Sequence, residues 1–78
     1  MNKIKQYVDD LSEDARRQII ETYELYETQG FIGEAPVRHH ARTLMKSLGI
    51  HGDANITMWM QLVAFECYRH FYHTNMRG

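Results

Sequence analysis

The sequence predicts an all-α fold: one compact domain over residues 1–78, with three substantial helices and a short N-terminal one. Three observations predict it. Apolar residues recur at i, i+3, i+4 and i+7 in successive segments, and no segment alternates with the period of two that a half-buried strand requires. Two segments end in a glycine followed by an apolar residue, Gly30–Phe31 and Gly49–Ile50, the composition of a helix closed by a left-handed residue. The connectors are short, which sets consecutive helices side by side and roughly antiparallel, in an orthogonal or bundle-like packing.

The first helix is expected over 3–10, carried by Ile4, Tyr7, Val8 and Leu11. Ser12 then suits an N-cap, because its hydroxyl accepts from a backbone N–H that has no partner inside the helix. Glu13 and Asp14 place negative charge at the positive end of the helix dipole. The second helix is expected over 13–29. Ala15, Ile19, Ile20, Tyr23 and Tyr26 fall on one side of it, and Arg17, Glu21, Glu24 and Thr28 on the other. Gly30 ends it, with Phe31 positioned to touch Tyr26.

The third helix is expected over 36–48. Pro36 fits its first turn, where the missing N–H costs nothing. Val37, Ala41, Leu44, Met45 and Leu48 form its apolar stripe, and Gly49 ends it with Ile50 set against Met45. Asp53 or Asn55 caps a fourth helix over about 56–73, and the terminal Asn-Met-Arg-Gly reads as a frayed tail.

A chain of 78 residues buries only about 60% of the surface its unfolded form exposes, so its core is small. One cysteine, Cys67, permits no internal disulfide and suits a reducing compartment. The N-terminal stretch has no apolar run of the kind a signal peptide needs, and "ITMWMQLVAF" is about half a membrane span. The expectation is a soluble cytoplasmic protein with no membrane contact. The net charge of −1 hides a division: residues 1–34 carry eight acids and four bases, residues 35–78 two acids and five bases, with all five histidines. The two halves therefore attract, or the basic one meets an acidic partner or nucleic acid.

The stretch "FECYRHFYH" gathers Glu66, Cys67, His70 and His73. On a helix Glu66, His70 and His73 share one face, as ligands of a metal must, while Cys67 points to the apolar side as a small buried hydrophobe. The spacing matches neither the metalloprotease motif nor a di-iron bundle. Glu66, His70 and His73 are thus weak metal candidates, read first as a solvated helix face whose cations suit the C-terminal end of the dipole. His39 or His40 is placed to meet His70 or His73 only if the fold brings the third and fourth helices together there. Ser12, Ser47 and Cys67 are assigned to a cap, a helix end and the core, which leaves no nucleophile–base constellation. "GFIG" and "GIHG" match no phosphate loop. No enzyme activity and no cofactor are expected.

Two features are left to carry function. Met58, Trp59, Met60, Leu62 and Phe65 nearly surround the front of the fourth helix, which three other helices can hardly enclose. Met58, Trp59, Leu62 and Phe65 are therefore the expected partner interface, for a homodimer or for another protein. Arg38, Arg42 and Lys46 form a basic stripe at i, i+4, i+8, suited to an anion or an acidic partner. The stripe precedes a helix–turn–helix-like arrangement, but its second helix would present Trp and Met where base readers are polar, which disfavours a sequence-reading DNA-binding protein. The reading is a small non-enzymatic interaction or regulatory module, with a nucleic-acid-binding module as the alternative.

Overall fold

The computed structural model describes residues 3–30, 35–52 and 54–77, with side chains as far as residue 71. It has four helices in order: α1 (Lys3–Asp9), α2 (Glu13–Gln29), α3 (Ala35–Ser47) and α4 (Ile56–Arg77). There is no strand among the described residues. α2, α3 and α4 each pack against the other two, and α1 packs on α4. The result is a slab of about 40 × 32 × 17 Å.

Local chemistry accounts for most helix ends. Ser12 caps α2, its hydroxyl accepting from the Ala15 N–H at 3.1 Å. Gly30 closes α2 in the left-handed region (φ 60°), donating to the Tyr26 carbonyl at 3.0 Å. Phe31, expected to complete that ending, lies outside the described residues, as does Asp53. α3 ends in a full Schellman motif: Ile50 N–H donates to the Met45 carbonyl at 2.9 Å and Gly49 N–H to that of Lys46 at 3.0 Å. Asn55 precedes α4 with φ 63°, a conformation asparagine tolerates better than most residues, and its carbonyl accepts from the Trp59 N–H at 3.1 Å. The expected frayed tail is a correction: α4 continues helically to Arg77, because no glycine or proline interrupts it before Gly78.

The core joins all four helices: Val8 from α1, Ile19 and Tyr23 from α2, Val37, Ala41 and Leu44 from α3, and Met60, Val63, Ala64 and Cys67 from α4. Thr57 of α4 meets Tyr26, Phe65 meets Tyr23, and Phe71 lies under the Arg17 guanidinium. The reversed order of these pairs makes α2 and α4 antiparallel.

α1 is too short to persist alone, and one buried cation holds it. Arg16 of α2 is 9% exposed, and its Nη1 donates to the carbonyls of Leu11 (2.7 Å), Val8 (2.9 Å) and Asp9 (3.5 Å). Those carbonyls belong to the end of α1 and its turn, at the negative end of the dipole, and Val8 also accepts from the Leu11 N–H at 3.1 Å. The sequence reading gave Arg16 no role. A signal was present: Arg16, Ile19, Ile20 and Tyr23 are i, i+3, i+4, i+7, so an arginine sits on the apolar face just after a short helix.

Candidate functional site

The fourth helix has three kinds of flank. Met60, Val63, Ala64 and Cys67 turn into the core. Burial pushes the Cys67 thiol up to about 12, so it stays protonated and unreactive, in keeping with a packing role.

A second flank carries Glu66 and His70. The expectation of a solvated face is corrected here, because α1 folds back along it. The Glu66 side chain is only 11% exposed, 4.0 Å from Arg69. His70 Nδ1 lies 4.0 Å from Asp9 of α1. Asp9 also accepts from Lys5 at 2.8 Å, a bond that holds its carboxyl below the usual range against the opposing effect of burial. This is a polar seam between α1 and α4. Among the described residues no three His, Cys, Asp or Glu side chains converge as metal ligands would. The His73 side chain lies outside those residues. His40 of α3 and His70 of α4 each meet α1: the Tyr7 hydroxyl and His40 Nδ1 are 2.7 Å apart, while His70 Nδ1 faces Asp9. Burial, then the neighbouring His39, depresses the pKa of His40.

The third flank faces outward. Of the four residues expected at an interface, Met58 (44% exposed) and Phe65 (51% exposed) are open. Leu62 is half-buried, and Trp59, also half-buried, packs against the core. Met58, Leu62 and Phe65 stand at i, i+4, i+7 and so line up as one outer ridge. Trp59 leaves that line because one residue turns it about 100° toward the core side. Arg69, with a side chain 74% exposed, continues the ridge toward the C-terminus. At the other end the Tyr26–Thr57 contact brings in the end of α2, where Glu27 is exposed. The ridge is thus apolar in its middle, basic at one end and acidic at the other.

The expected basic stripe is also present on α3. Arg42 and Lys46 are exposed and Arg38 half-buried. Within and beside α2, Glu13 pairs with Arg17 at 3.2 Å and Glu24 accepts from the Tyr68 hydroxyl at 2.9 Å. Among the described residues no helix is long and apolar enough to cross a membrane. No family model, no curated protein and no solved structure matches the chain.

Proposed function

We propose that this protein is a small non-enzymatic interaction module that self-associates through the Met58–Leu62–Phe65 ridge of α4. The observation that carries the reading is the exposure of Met58 and Phe65 in register with Leu62, on a helix whose other flanks are covered. A second copy fits because the ridge is self-complementary. Turned end for end about a two-fold axis, it sets Arg69 of one copy toward the acidic end of α2 in the other. Phe and Met are residue types enriched in such contacts.

The ridge is small. An interface built on it sits at the low end of specific contacts, below about 1,200 Å², and is therefore weak and concentration-dependent. The test is molar mass by light scattering from about 10 μM to about 1 mM, a range that spans weak association. Wild-type protein is expected to move from monomer toward dimer. Replacing Met58 and Phe65 together by glutamine is expected to hold it monomeric with unchanged helicity. A wild-type monomer throughout, or a double variant that dimerises like wild type, rejects the reading.

A further inference from the structure

Arg38, Arg42 and Lys46 recur every fourth residue of α3, so they advance about 6 Å per step along the helix axis. The turn after α3 lengthens this row in a way helical spacing does not show. The Schellman closure reverses the chain, and Gly52, at φ 85°, turns it again. His51 is thereby placed with Arg42 and Lys46 around a depression of about 290 Å³ with Met45 and Ile50 in its wall. A second depression of about 270 Å³ is lined by Arg38, His39 and Arg42. Arg42 borders both, so the two depressions adjoin along α3, and the pair is termed the channel. Among the described residues, every charged or titratable group lining it is a base.

We propose that this channel binds the phosphate backbone of duplex nucleic acid without reading its sequence. The regular row of cations suits a chain of anions better than one isolated ion. Arg38 and Arg42 present planar forks that match phosphate oxygens in pairs, whereas a lone carboxylate would use only one of them. His39 and His51 add N–H donors on either side. Among the described residues no aromatic side chain other than these imidazoles lines the channel, which gives single-stranded bases nothing further to stack on. Cations of this row meet phosphates rather than base edges, so the contact carries no sequence preference.

The probe is a fluorescent DNA duplex of about 20 base pairs, followed by anisotropy at low salt. Three fixed cations predict a log–log salt slope of about −3, from about −0.9 per neutralised phosphate. Replacing Arg42 and Lys46 by glutamate is expected to weaken binding at least tenfold, and the same pair replaced by glutamine to flatten the slope to about −1. Both sites are exposed, and circular dichroism checks that the variants fold. Protein changed to glutamine at Met58 and Phe65 is expected to keep the wild-type slope, because the channel lies within one copy. This separates the channel from the ridge. Three results overturn the proposal: no binding at about 20 mM salt, where electrostatic affinity is strongest; charge-reversed protein that binds as well as wild type; or poly-glutamate that competes equally with DNA at equal charge.

Discussion

Replacing Arg16 by methionine tests how α1 is held. Methionine keeps much of the buried apolar stem but removes the donor to the carbonyls of Leu11 and Val8, at 2.7 and 2.9 Å. Hydrogen bonds from a charged donor contribute about 1.5–3 kcal/mol each, so the two short bonds are worth about 3–6 kcal/mol before desolvation. The contact to Asp9 at 3.5 Å adds little. Burying the guanidinium is itself costly, and its Nε has no partner. The expected net loss is therefore at the lower end, about 3 kcal/mol. A domain of 78 residues has roughly 4–12 kcal/mol in total, so this is a large share. With a urea slope of about 1 kcal/mol per M, the unfolding midpoint falls by about 3 M. Arg16→Lys, which keeps the charge without the planar fork, is expected to lie between. Amide exchange in α1 should quicken more than in α3. A methionine variant whose midpoint stays within about 0.5 M of wild type refutes the reasoning, since about 0.5 kcal/mol is what an ordinary surface change costs.

Two further predictions concern titration and reactivity. His40 is held neutral by burial, so its folded pKa lies below the ordinary 6.5. Its contribution to stability is complete above that value and is lost as pH falls below it. Wild-type protein should therefore lose more of its urea midpoint between about pH 7.5 and about pH 5.5 than His40→Gln does. Equal losses in both proteins would assign the acid sensitivity elsewhere. Cys67, fully buried with its thiol pushed up to about 12, should resist a disulfide reagent in the native state and react at the rate of unfolding. Prompt labelling of folded protein would contradict its place in the core.

Much of the fold was legible because helix formation is decided within a few residues. Ser12 and Gly30 bound α2 at the expected residues, and Gly49 and Ile50 close α3 as their spacing implied. Cys67 fell on the apolar side of α4 by angle alone. The surfaces were legible only as residue types. Residue type grouped Trp59 and Phe65 in one expected interface, yet Trp59 packs against the core and Phe65 stands half exposed.

The sequence by itself determined the all-α class, the apolar faces, the Ser12 cap, the Gly30 and Gly49 endings, and the residue types of the ridge and the basic row. Tertiary structure decided which flank of α4 stays open. α1 covers the one with Glu66 and His70, through Val8 in the core and the Arg16 clasp, and leaves the one with Met58 and Phe65. It also decided that His51 joins Arg42 and Lys46. The physical reason is range. Caps, left-handed endings and apolar periods act between residues three to five apart, whereas covering a flank depends on contacts between segments distant in sequence.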